Sequence, residues 1–235
     1  MNNGDAPPGA TGYADLPRLI ARMRGDEKHS GAAESTVDVL WVLYDRVLNV
    51  SPETVEDPAR DRFLLSKGHG PMAYYAVLAA KGFLDPAELT DWAGSGSRLG
   101  MHPDRVLVPG VEISSGSLGH GLALGVGTVF GLRARGLTDP KVVVLTGDAE
   151  LDEGSNHEAI TLAGRASMAQ LTAVVVDNAS ASLGWPGGIA DRFAVEGWAT
   201  RTVDGRDHEA LHRAFTAPHP DRSLCVVAVV EPKEG

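Results

Sequence analysis

The apolar and polar positions divide the chain into short buried runs separated by amphipathic stretches. Residues 142–145 and 171–176 are apolar, largely β-branched and bounded by small or polar residues, the pattern of strands buried on both faces. Between them, residues 158–166 repeat apolar side chains at helical spacing, so the order is strand, helix, strand, the length of one βαβ unit. Upstream, residues 16–24 predict a short helix. Residues 33–48 predict a longer one with Val37, Leu40, Trp41, Tyr44 and Leu48 at its apolar positions. The stretch "FLLSKGHGPMAYYAVLAAKGF" reads as a short strand, a Gly-His loop and a helix, and a small-residue helix follows near 118–135. After a loop over 179–189 come a helix-and-strand pair around "FAVEGWATRTVDG", an amphipathic helix in "DHEALHRAFTA" and a last strand in "LCVVAVV". Strands alternating with helices predict one α/β domain over 16–235, a parallel sheet flanked by helices. The Pro- and Gly-rich first 15 residues read as a flexible arm.

Composition narrows the function classes. A net charge of −10 argues against nucleic acid or an anionic membrane as the main partner. The single cysteine, Cys225, lies in an apolar strand and reads as a structural thiol, unable to form an internal disulfide. No basic start precedes an apolar run, and no run approaches spanning length, so the expectation is a cytoplasmic, enzyme-like domain.

Three features carry candidate chemistry. In a βαβ unit both strands end at the same edge of the sheet, which sets Asp148 beside Asn178. A carboxylate, a side-chain amide oxygen and a nearby carbonyl are hard oxygen ligands suited to Mg2+ or Ca2+. Gly147 permits a tight turn there, and the following helix start offers N–H groups to an anion. Taken singly, Asp148 is equally a helix cap and Asn178 a turn residue; their pairing favours the metal. Second, His29 in "KHSGAAES", His69 in "SKGHGP" and His102 in "GMHPD" lie in loops expected at one sheet edge. Together they suggest a pocket that hydrogen-bonds hydroxyls and phosphates or shuttles protons, without the close spacing of a zinc site. His157, His208 and His212 read as surface residues, and His120 is ambiguous. Third, the small residues of "SSGSLGHG" allow a flat ring to approach the backbone, with Leu118 in apolar contact. A tightly packed glycine-rich helix explains that stretch equally well.

"SKGHG", "GSRLGMHPD", "PGVEISSGSLGHGLALGVG", "GDAELDEGSNHEA", "VVVDN" and "GWATRTVDGRDHEAL" resemble, in order, the thiamine-diphosphate-binding half of transketolases. The resemblance implies that Asp148, Asn178 and the backbone carbonyl of Ser180 hold Mg2+ on the cofactor's diphosphate, with Gly147 and Ala149 flanking the aspartate. It implies that His29, His69 and His102 contact the diphosphate or substrate hydroxyls. Gly116, Ser117 and Leu118 form the segment set against the aminopyrimidine, and Glu153 matches a buried glutamate linking two active sites. The departures are Ala149 for the second glycine of the motif, tolerable if its φ is negative, and Ser182 where an apolar residue often lies beneath the thiazolium. Ser117 and His120 also stand in place of proline and glutamine. The sequence stops at "VVEPKEG" without a pyrimidine-binding domain. The implied protein is therefore the N-terminal subunit of a split transketolase. With a C-terminal partner subunit it would form a heterotetramer that moves a two-carbon ketol unit between sugar-phosphate or specialised-metabolite substrates. Another thiamine-diphosphate enzyme component (deoxyxylulose-phosphate synthase-like or 2-oxo-acid dehydrogenase-like) and a non-catalytic regulatory subunit of the same fold are the alternatives.

Overall fold

A computed structural model describes residues 11–24, 30–68 and 71–232. Five strands form one parallel sheet: β1 (Arg62–Leu65), β2 (Val142–Gly147), β3 (Leu171–Asp177), β4 (Ala199–Asp204) and β5 (Leu224–Val229), in the order β1-β2-β3-β5-β4. β2, β3 and β5 are buried almost throughout, as their unbroken apolar runs require of strands covered on both faces. Edge strand β4 alternates more loosely between buried and exposed positions.

The helices are α1 (Leu16–Ile20), α2 (Ser30–Val42), α3 (Met72–Ala80), α4 (His120–Ala134), α5 (Gly154–Arg165), α6 (Ile189–Val195) and α7 (His208–Thr216). Alternate strand residues divide the core. Phe63, Val143, Val174 and Val226 pack with α1, α2, α3 and α7 on one face. Leu64, Val144, Val175 and Cys225 pack with α4, α5 and α6 on the other. Handedness explains the split. The steps β2 to β3 and β3 to β4 run one way along the sheet, whereas β4 to β5 runs back, so right-handed crossovers place α7 opposite α5 and α6.

The predicted strands and helices are all present, with shifted ends. The helix expected over 33–48 begins at Ser30 and loosens into a π turn, Leu43–Val47, and the one expected over 158–166 starts four residues earlier at Gly154. Tyr13–Asp15, assigned to the arm from sequence, form a 3-10 turn instead, and the Tyr13 hydroxyl donates to Asp38 at 2.5 Å. Among the described residues no helix is long and apolar enough to cross a membrane. Cys225 is fully buried, and burial pushes its thiol well above the usual range, which keeps it unreactive.

One glycine sets how closely α5 meets the β4 side of the sheet. A Cβ on Gly164 would stand 1.9 Å from the carbonyl oxygen of Glu196 and 2.9 Å from its carbon. Alanine is better than glycine inside a helix by about 1 kcal/mol, but here the obstacle is backbone. Gly164→Ala is therefore expected to destabilise the fold by about 1–3 kcal/mol, measured by urea denaturation; a stabilised variant would contradict the packing described.

Candidate functional site

The carboxyl edge of the sheet gathers the functional side chains. β2 and β3 pair Gly147 with Val176, and the Asp148 N–H donates to the Val176 carbonyl at 3.0 Å. Asp148 and Asn178 therefore leave adjacent strands together, and both are buried. Asp148 Oδ2 accepts the N–H groups of Ser180 at 2.6 Å and Ala181 at 3.0 Å, while Oδ1 accepts the Ser180 hydroxyl at 2.6 Å. Asn178 Oδ1 differs: it is buried, and no donor among the described residues reaches it. Leaving such an acceptor unsatisfied costs about 1–3 kcal/mol, so an unpaired buried oxygen calls for an occupant. A divalent cation would answer that deficit, and Asp148, Asn178 and the Ser180 carbonyl are hard oxygen donors that could hold one. Among the described residues no three His, Cys, Asp or Glu side chains converge on a metal, and this set needs only one carboxylate.

Glu150, unremarked in the sequence, is the hub of the surrounding turns. It is 2% exposed. Its Oε1 accepts the Ser66 hydroxyl and the Gly119 N–H at 2.9 Å, and its Oε2 accepts the Gly147 N–H at 3.3 Å. Ser66 Oγ also accepts the Gly121 N–H at 2.9 Å. One carboxylate thus ties the end of β1, the end of β2 and the start of α4. Burial raises its pKa, against the opposing effect of these donors and the Lys67 charge.

The glycine-dense loops meet at the same edge. His102 Nδ1 lies 2.9 Å from the Gly68 carbonyl; a carbonyl only accepts, so Nδ1 carries the proton and Nε2 is the basic nitrogen of the neutral ring. Gly116 has φ +130, and a Cβ there would stand 3.1 Å from the His102 ring. The ring therefore packs against bare backbone. Gly119, at φ +83, begins α4 with Leu118 half-buried beside it and Ser117 exposed.

The remaining sequence assignments divide. Ala149 lies in a 3-10 turn, Ala149–Asp152, with negative φ, so the missing second glycine is tolerated. Glu153, expected to be buried, is exposed among the described residues, and its Cβ lies 2.7 Å from where a Gly119 Cβ would stand. The Ser182 hydroxyl donates to Asp152 at 3.1 Å. His29 and His69 lie outside the described residues. His208, read as a surface residue, instead meets buried Asp38 at 2.7 Å, where Arg206 Nη1 also donates at 2.7 Å. Those residues and Tyr13 line a broad cleft of about 770 Å³. A polar patch drawn from residues so far apart in sequence leaves no local pattern to read.

A parallel sheet flanked by helices, with its polar side chains and glycine turns gathered at the carboxyl edge, defines an α/β domain whose ligands would bind at that edge. The chain belongs to the transketolase family: a family profile described as "Transketolase, thiamine diphosphate binding domain" matches residues 21–227. Among similar proteins, one from Rhodococcoides fascians named Ferredoxin fas2 is 61% identical over 218 residues, covering 93% of this chain and 72% of that protein. With one buried cysteine, this chain lacks the thiolates that hold an iron–sulfur cluster. One subunit of the apulose-4-phosphate transketolase of Actinobacillus succinogenes is 44% identical over 137 residues, covering 58% of this chain and 49% of that protein. The solved transketolase from Leishmania mexicana superimposes with a TM-score of 0.72 at 25% identity, covering 93% of this chain and 36% of that one. The chain thus spans only about a third of a transketolase such as the Leishmania enzyme.

Replacing Glu150 by alanine would leave the Gly119 and Gly147 N–H groups and the Ser66 hydroxyl without their acceptor. Glu150→Ala is expected to lower the unfolding free energy by about 2–3 kcal/mol, read from urea melts of the metal-free chain. An unchanged midpoint would remove Glu150 from its place as hub.

Proposed function

We propose that this chain is the cofactor-binding subunit of a two-component transketolase, which transfers a two-carbon ketol unit from a ketose donor to an aldehyde or ketone acceptor. The observation that carries the reading is the buried, unpartnered Oδ1 of Asn178 beside Asp148. Asp148, Asn178 and the Ser180 carbonyl would hold Mg2+ on the diphosphate. When bound, thiamine diphosphate supplies the carbanion chemistry that breaks and remakes a carbon–carbon bond next to a carbonyl. The protein's share is position and proton handling. Gly116, Ser117 and Leu118 border the space for the cofactor's ring, and the glycine backbone admits a close approach. The Gly68 carbonyl holds the ring of His102 through Nδ1, and this imidazole would handle hydrogen bonds or protons of substrate hydroxyls. His29 and His69 belong to the same group of site residues.

A second chain carrying the pyrimidine-binding domain would complete the site. A relative that is itself named as one subunit of a transketolase supports this. The exposed stripe along α4, with Ala123, Leu124, Gly127, Phe130 and Gly131 free of charge, supports an assembly in which another chain covers it. Two copies of each chain in a cytoplasmic heterotetramer, with Glu153 buried between sites, is the arrangement proposed. Sugar phosphates or specialised metabolites are the proposed substrates.

The test is Asp148→Ala with calorimetry of Mg2+-dependent thiamine diphosphate binding in the presence of the partner. Binding should be abolished while the fold persists, and Asn178→Ala should weaken it less because that ligand is neutral. Unchanged affinity in Asp148→Ala would rule out the metal assignment. His102→Ala should lower turnover by about 10- to 1000-fold with little change in cofactor affinity. Normal turnover in steady-state kinetics would reduce His102 to a packing residue.

A further inference from the structure

The segment after β3 is held by two aspartates in a repeated way. Asp148 takes the N–H groups of Ser180 and Ala181 and the Ser180 hydroxyl. One helical turn later, Asp152 Oδ2 takes the N–H groups of Ser182 at 3.2 Å and Leu183 at 3.3 Å and the Ser182 hydroxyl at 3.1 Å. Each carboxylate thus binds two consecutive amides and the hydroxyl of the first. The segment enters this arrangement through Ala179, a non-glycine residue at φ 55, a conformation that persists only where its surroundings impose it. All three contacts to the loop fall on Oδ2, and Asp152 Oδ1 is buried with no partner among the described residues.

We infer that Asp152 is a positioning residue for the cofactor-facing loop: through Ser182 and Leu183 it fixes residues 179–183 so that the Ser180 carbonyl stands ready beside Asn178. The same geometry accounts for serine at 182. Its hydroxyl closes the latch on Asp152, so the residue serves the loop's shape rather than apolar contact with a ring. The inference rests on the proposed function for what the loop faces, but the latch itself is a property of the chain without ligand.

The test compares wild type, Asp152→Ala and Asp152→Asn in two measurements. Amide hydrogen exchange on the metal-free full chain should show about tenfold lost protection at Ser182 and Leu183 in Asp152→Ala, with a smaller loss at Ser180 and Ala181 and β3 little changed. In the complex with the partner, calorimetry should show Mg2+-dependent thiamine diphosphate binding weakened about 10- to 100-fold, the range for residues that orient metal ligands. Asp152→Asn keeps an acceptor oxygen and should recover most of both. Unchanged exchange at Ser182 and Leu183 overturns the inference. So does loss of protection spreading into β3, which would make Asp152 a residue of the fold, and so does unweakened cofactor binding in Asp152→Ala. A wild-type complex that takes up no thiamine diphosphate is a different result: it overturns the proposed function, and the role of the latch with it.

Discussion

The carboxyl edge depends on the parallel register of β2 with β3. Gly147 opposite Val176 brings Asp148 and Asn178 out of the sheet as neighbours, and a slip of one residue would turn either side chain into the opposite layer of helices. That register is secured by burial. Val142 to Leu145 and Val174 to Val176 send alternate side chains into two separate apolar layers, so both faces would be disrupted by a slip. Two polar side chains are thereby set side by side by strands whose own side chains are apolar.

Around that pair, acidic side chains do the joining that secondary structure cannot. Glu150 draws three backbone turns together from beneath, and Asp148 and Asp152 hold the loop above. Carboxylates suit this work because each offers about four acceptor positions to amides at strand ends and helix starts, where N–H groups lack partners of their own. Glycines supply the complementary freedom. At Gly116 the backbone itself faces the His102 ring, and no other residue could adopt that φ with so little room.

The sequence revealed whatever rests on periodicity or on short spacing. The strands, the parallel class and the convergence of Asp148 and Asn178 follow from apolar runs and the length of a βαβ unit, and the negative φ of Ala149 met the condition set for losing a glycine. Helix ends were less legible. The first turn of α5 carries Ser155, Asn156 and His157, so its start has no apolar repeat to mark it. Glu150 and Asp152 were missed for a different reason. An acidic residue in a turn looks solvated in sequence, and only the fold shows that Ser66, Gly119 and Ser182 converge on these two. His208 was misjudged likewise, since Asp38, its partner, lies on a helix from the far end of the chain.

The loop after β3 carries Trp185, whose indole stacks on His157 with ring centres 5.0 Å apart, while Arg192 lies 5.5 Å from the indole centre. The chain has four tryptophans, and Trp41, Trp92 and Trp198 are each buried in the core. Trp185 is the partly exposed member of the set. An imidazole against an indole is an effective quencher when protonated, and its distance from the ring follows the loop. The protein thus carries its own optical probe, a fluorophore on the loop after β3 set against a background of three that stay in the core.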